Sequence, residues 1–152
     1  MKARLVKFGE IEVEGKRYTH DVVIDGGKVR KRKKGPSKQF REKFGHTPLS
    51  AGEEIPWGGK RLIVGTGAHG ALPVMDEILA EAKRRGIEVI SAPTSEVCEL
   101  LEEVKKGQAY AILHCTCRLG VDRKLDRRRA LFEQCPRIVA QQSHRVAEIL
   151  AQ

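Results

Sequence analysis

The sequence predicts an α/β domain, and three observations carry that reading. Strand-like and helix-like patterns alternate from residue 60 to about residue 117. A G-x-G-x-x-G loop lies between the first of those strands and the first of those helices. The residues before 60 show the two-residue alternation of β-structure. A chain of 152 residues, 40% hydrophobic and 32% charged, suits a globular domain with a well-charged surface.

Taken in order, Glu10-Ile11-Glu12-Val13-Glu14 alternates polar and apolar residues, as a strand with one buried face does. Gly15 allows a turn before Arg17-Tyr18-Thr19. Asp21-Val22-Val23-Ile24-Asp25 reads as a strand, Gly26-Gly27 as a tight hairpin turn, and Lys28-Val29-Arg30 as the return strand. Gly35-Pro36 closes the charge run, and Ser37 is placed to cap a short helix through Phe44, with Phe40 and Phe44 on its buried side. Gly45, Pro48, Gly52, Pro56, Gly58 and Gly59 then make a long irregular connection, a kind of loop that often carries function.

From residue 60 the apolar run Arg61-Leu62-Ile63-Val64 fits a buried parallel strand. Pro73 suits the first turn of a helix whose stripe is Val74, Met75, Ile78, Leu79 and Ala82, stopped by Gly86. Ile87-Glu88-Val89-Ile90 is the next strand. Pro93-Thr94 opens a second helix with Val97, Leu100, Leu101 and Val104 on one face and Gly107 as its stop. Ala109 to Leu113 makes a third strand. Such a series requires parallel pairing with right-handed crossovers. The pattern changes at Arg118. Residues 118–152 read as a basic helical C-terminal extension, with Arg127-Arg128-Arg129 in it, packed on or appended to an α/β domain over 1–117.

Composition narrows the partners. No apolar stretch approaches the roughly 18 residues of a membrane span, and the first residues carry no signal-like apolar core. Four cysteines then read as reduced thiols of a cytoplasmic protein. A net charge of +9 admits nucleic acid, acidic proteins and small anionic ligands, beside the plain reading of a solvated basic surface. The absence of asparagine with abundant Lys, Arg and Glu is a thermophile-like composition.

Three strand-to-helix or strand-end junctions hold the candidate ligand-binding residues. Gly65, Thr66, Gly67, His69 and Gly70 could present backbone N–H groups to a phosphate. The following strand ends Val89-Ile90-Ser91-Ala92 with no carboxylate for a ribose, so a structural turn or another ligand is preferred to a dinucleotide. Thr94 and Ser95 suit an N-cap, or hydroxyls aimed at a ligand. His114, Cys115 and Cys117 suggest metal ligation or a thiolate. However, Cys98 and Cys135 form no second pair, and no partner base is legible, so neither a metal site nor a catalytic residue is assigned. In an open parallel sheet these three junctions share one rim. That rim offers backbone donors, hydroxyls and imidazole but shows no carboxylate pair. Lys31, Arg32, Lys33 and Lys34, with Arg127 to Arg129, could contact nucleic-acid phosphates, although no aromatic is interleaved for stacking.

An ordered set of motifs is similar to one known family. It comprises Phe8-Gly9-x-Ile11, Tyr18-x-x-Asp21-Val22-Val23-Ile24, Gly45-His46-Thr47, Leu62-Ile63-Val64-Gly65-Thr66-Gly67, Pro93-Thr94 and Ala111-Ile112-Leu113-His114-x-Thr116-Cys117. Over about Phe8 to Cys117 the chain resembles the Mth-nine-three-eight domain family. Among its members are an adipogenesis-associated human protein and a mitochondrial NADH-dehydrogenase assembly factor. The resemblance implies a three-layer α/β fold with a mixed central sheet and an added β-ribbon. It brings no established catalytic residue, cofactor or substrate, and its eukaryotic members look like assembly or regulatory proteins. The expectation is a non-enzymatic binding or assembly-type domain that takes a small anionic ligand or a protein partner at the rim. The alternatives are a small enzyme using His69, His114 or Cys115 there, and non-specific nucleic-acid binding through the basic runs.

Overall fold

The computed structural model describes residues 1–115. Cys117, the helical extension expected over 118–152 and its cluster Arg127, Arg128 and Arg129 lie outside the described residues.

The alternating start of the chain folds into a three-stranded antiparallel ribbon in the order β1-β2-β3. Its strands are β1 (Ala3–Lys7), β2 (Glu10–Val13) and β3 (Lys16–Tyr18). Ile11 and Val13 are buried, while Glu10 and Glu12 meet Arg17 and Arg4 across the ribbon at 3.1 and 3.0 Å. Exposed pairs of this kind contribute little stability, so the buried alternate positions set the register. The first strand, β1, is an element the alternation did not delimit.

The second sheet has five strands in the order β5-β4-β8-β6-β7. A hairpin joins β4 (Val22–Asp25) to β5 (Lys28–Lys31), with Gly26 and Gly27 both at positive φ in its turn. The strands β6 (Arg61–Gly65), β7 (Glu88–Ala92) and β8 (Tyr110–Leu113) are the expected parallel series, with β6 paired to both others. β4 runs antiparallel to β8, which makes the sheet mixed. The helices between the parallel strands are α2 (Asp76–Arg85) and α3 (Thr94–Glu103).

Strand alternation sorts the sheet's side chains into two cores. Val23, Leu62, Val64 and Ile112 point to one face, where Ile78 of α2 and the connection residues Leu49 and Leu72 cover them. Gly65 and Leu113 point to the other face, against Thr94 of α3. There α3 packs between β6 and β1, so the ribbon adds a layer outside α3. Apolar burial on both faces of the parallel strands explains why these strands read as continuous apolar runs.

Several boundaries differ from the sequence expectation. Helix α2 starts at Asp76, with Met75 as its extended cap, because Pro73 and Val74 are held by a bridge to Leu49 instead. The segment at Ser37 is a 3-10 helix over Gly35–Phe40 running into a short α1 (Arg41–Phe44). Ser37 caps nothing there; its side chain is buried, and Phe40 and Phe44 are only half-buried. Helix α3 ends at Glu103, so Gly107 belongs to a following 3-10 turn. Among the described residues no helix is long and apolar enough to cross a membrane.

Candidate functional site

The three junctions come together. The hydroxyl of Thr94, fully buried, accepts from Gly67 N–H at 2.8 Å and donates to the His114 carbonyl at 2.7 Å. Gly67 C=O in turn accepts from Thr94 N–H at 3.0 Å, and Gly65 C=O accepts from His114 N–H at 2.9 Å. Thr66 donates both its N–H and its hydroxyl to the Ala92 carbonyl, at 2.9 and 3.0 Å. The hydroxyls of Thr66 and Thr94 and several of the rim's backbone donors are therefore spent on holding the junctions together.

The glycine spacing has a packing cause. A Cβ at Gly65 would lie 2.8 Å from the Thr94 hydroxyl, and one at Gly67, where φ is +98°, would lie 2.9 Å from His114 Cδ2. With α2 starting six residues beyond Gly70, the helix that follows the loop does not present its N-terminus to it; the N-terminus of α3 does, and its Thr94 N–H is already donated to the Gly67 carbonyl. Gly70 turns beside Thr66 and Pro93, at a φ of +66°. His69 and Ser95 are exposed, and the His69 ring lies 6.5 Å from that of Phe8.

Thr94→Val keeps the shape of the side chain and removes its hydroxyl. It should lower stability by about 2–6 kcal/mol, because one buried N–H and one buried C=O each lose a partner at roughly 1–3 kcal/mol. Thr94→Ser should retain most of the stability, and chemical denaturation of the three proteins measures the difference.

Behind this rim lies a buried charge cluster that the sequence did not disclose. The register explains it. β4 pairs with β8 as Val22 with Leu113, and with β5 as Val22 with Lys31. One step beyond both ladders, Asp21 therefore faces His114 on one side and Arg32 on the other. Asp21 Oδ2 accepts from His114 Nδ1 at 2.8 Å, from Lys34 Nζ at 2.7 Å and from Arg32 Nη1 at 3.2 Å. Oδ1 accepts from Cys115 N–H at 3.2 Å. Arg32, only 3% exposed, also forms a two-pronged pair with Glu53, both contacts at 2.7 Å, and donates to the Pro48 carbonyl. Ser37 and Ser50 complete the cluster against Glu53. The rim, read from the sequence as showing no carboxylate pair, thus has one carboxylate at it, Asp21 from the head of β4, while Glu53 of the irregular connection lies behind it on Arg32.

Electrostatics at this cluster is set by its neighbours. Burial alone would raise the Asp21 carboxyl, but the hydrogen bond and charge of His114, followed by those of Lys34, hold it well below the usual carboxylate range. Asp21 is thus a fixed anion. Burial lowers His46, with smaller contributions from the charges of His114 and Arg41. Burial, reinforced by Glu102, pushes the Cys98 thiol up to about 12, which makes it an unreactive core residue. No group of three or more metal-ligating side chains occurs among the described residues.

Asp21 also lines a recess of about 580 Å³ on the outer side of the hairpin. Arg30, Lys31, Arg32, Lys33, Lys34 and Lys38 line it, and Asp21 is the sole carboxylate among its described lining residues. The run first read as a possible nucleic-acid contact is therefore split by burial. Arg32 is internal, whereas Lys31, Lys33 and Lys38 are exposed. Arg30 is anchored to Glu54, with Nη2 donating to its carbonyl at 2.8 Å and Nη1 at 3.3 Å from its carboxylate. Lys33 also meets Glu54, at 2.8 Å. Lys31 and Lys38 have no acidic partner among the described residues.

A mixed sheet flanked by two helices, with an extra β-ribbon and a charge cluster buried at the downstream ends of the parallel strands, defines a class of small α/β domain. The chain is similar in fold to a conserved hypothetical protein from Pyrococcus horikoshii OT3, PH1505, at a TM-score of 0.60 and 33% identity, over 77% of this chain and 100% of that one. The solved structure of MT938 matches at a TM-score of 0.56 and 25% identity, over 76% of this chain and 98% of that one. The chain belongs to the family of these proteins, the Mth-nine-three-eight domain family. No family model matches the chain, and no curated protein matches it.

Proposed function

We propose that this chain is a binding domain for an anionic partner, taken up in the basic recess beside Asp21. One observation carries the reading: exposed lysines surround a recess whose only lining carboxylate, among the described residues, is itself occupied by internal donors. A ligand there meets positive charge that the protein has not neutralised. The rim of Gly67, Thr94 and His114 serves this site from behind, since His114 holds the carboxylate that anchors Lys34. The internal hydrogen bonds of Thr66, Gly67 and Thr94 favour a supporting role for them over direct contact with the ligand.

Charge position, and not net charge, is what the reading predicts. Lys31→Glu with Lys38→Glu should elute from phosphocellulose at markedly lower salt than a control with Lys16→Glu and Lys105→Glu, which carries the same net charge. Coincident elution of the two variants would count against the recess.

The buried Asp21–His114 contact supports a second reading, a small enzyme in which a carboxylate orients an imidazole. That reading requires turnover of an ester or phosphoester that His114→Ala removes while the fold persists.

A further inference from the structure

Resting on the reading above, we infer that the recess takes a compact phosphate-bearing anion of two to three negative charges, with Lys31, Lys38 and Lys34 as its contacts. Charge balance gives the valence. Six cations line the recess, and three carboxylates, Asp21, Glu53 and Glu54, pair with four of them, which leaves an excess of three positive charges. A diphosphate or a doubly ionised phosphate ester matches that excess, whereas a single carboxylate leaves most of it unmatched.

The cations differ in readiness. Arg32 is consumed by Glu53 and Asp21 inside the protein. Arg30 and Lys33 are drawn to Glu54. Lys34 is held at 2.7 Å from Asp21 with its side chain about a third exposed, so its position is fixed before any ligand arrives. Lys31, at the end of β5, and Lys38, in the 3-10 helix, are exposed and lack acidic partners among the described residues. A fixed charge that shares the recess with two adaptable ones is a receptor for a small ion with several oxygens, because less ordering remains to be done on binding.

Size and lining argue against the macromolecular alternatives. About 580 Å³ lies within the range of roughly 300–1,000 Å³ typical of small-molecule sites. Five of the six cations follow one another along the end of β5 and the segment after it, and the sixth, Lys38, comes from the 3-10 helix to meet them. His20 is the one aromatic ring among the described lining residues, so successive bases have no series of platforms to stack on. A protein partner needs an apolar centre in its interface. The large apolar side chains most exposed among the described residues are Phe8 and Leu79, and neither lines the recess.

Calorimetric titration of the full chain with inorganic pyrophosphate tests this, beside a single-stranded oligonucleotide and a glutamate-rich peptide. The expected result is one saturable pyrophosphate site that Lys31→Glu with Lys38→Glu weakens at least about tenfold, since two attractive charges become repulsive. The Lys16→Glu, Lys105→Glu control should bind as the parent does. Thermal melting of each variant confirms that the fold is intact, because both lysines are exposed. Tighter binding of the oligonucleotide or the peptide than of pyrophosphate, lost in the Lys31, Lys38 variant, overturns the ligand class and leaves the anion-binding recess standing. If no probe distinguishes that variant from the control, both the class and the recess are overturned.

Discussion

Replacing Arg32 by methionine is expected to lower the unfolding free energy by about 3–5 kcal/mol, the range for removing one partner of a buried ion pair. For a domain of this size that is a fall in melting temperature of roughly 6–20 °C. The size of the effect comes from what stays behind. The Arg32 and Glu53 side chains are 1% and 2% exposed, so without the guanidinium the Glu53 carboxylate has no route to water. Ser37 donates to Glu53, but a hydroxyl supplies no compensating charge. The Pro48 carbonyl also loses its donor. Lysine should restore little of the loss, since one ammonium cannot reproduce a two-pronged contact with Glu53 while also reaching Asp21.

The control is the double change Arg32→Met with Glu53→Leu. Because it removes both members of the main pair, it should be clearly less destabilised than the sum of the two single changes. Denaturant midpoints of the four proteins give the coupling directly. Near-additive values would mean that the pair is solvated and that the cluster is not a single unit. The consequence reaches beyond stability: Arg32 ties β5 to the 48–53 connection, and Lys31 and Lys33 on either side of it face the recess.

How much of this was legible depends on the range over which each signal acts. The parallel half could be read because its signals are local. Leu62, Ile63 and Val64 form an unbroken apolar run, and the stripe containing Ile78 and Ala82 has the helical period. The Gly26-Gly27 hairpin could be read for the same reason, since two positive φ angles are a property of the turn alone. The start of α2 could not, because Pro73 and Val74 are captured by Leu49, a partner more than twenty residues away. Thr94 has the residue type of an N-cap, yet its hydroxyl is claimed by two other junctions.

The charge cluster was the least visible feature, as its members lie at 21, 32, 53 and 114 and meet only after two antiparallel pairings place Asp21 between two strands. Two signals were available. Among the cations from Lys28 to Lys34 the chain uses arginine at 30 and 32 and lysine at the others, and guanidinium is the cation suited to buried, two-pronged pairing. The other was Asp21 itself, an acid adjoining three apolar strand residues that are all buried.

Asp21→Asn isolates the electrostatic part of that cluster, because the side chain keeps its size and loses its charge. The native carboxylate accepts from His114, Lys34, Arg32 and Cys115 N–H. An amide presents an NH₂ group to some of those donors, so donor meets donor in a site only 2% exposed. A loss of about 3–5 kcal/mol near neutral pH is expected, again as the cost of stranding buried partners. The pH dependence distinguishes this from a loss of packing. The folded-state pKa of Asp21 is lowered, chiefly by His114 and Lys34 acting against burial, while the unfolded chain titrates near the ordinary value of about 3.9. The native state thus favours the ionised form. Its contribution is present in full above roughly pH 5 and is lost as pH falls through the unfolded value toward the folded one. Unfolding measured from neutral pH down to about pH 3 should therefore show the parent losing stability faster than Asp21→Asn, so that the two curves converge in acid. Parallel curves would mean that the carboxylate is solvated in the native protein. In that case Lys34 would not be fixed beside the recess, and the anion would be met only by exposed, mobile lysines.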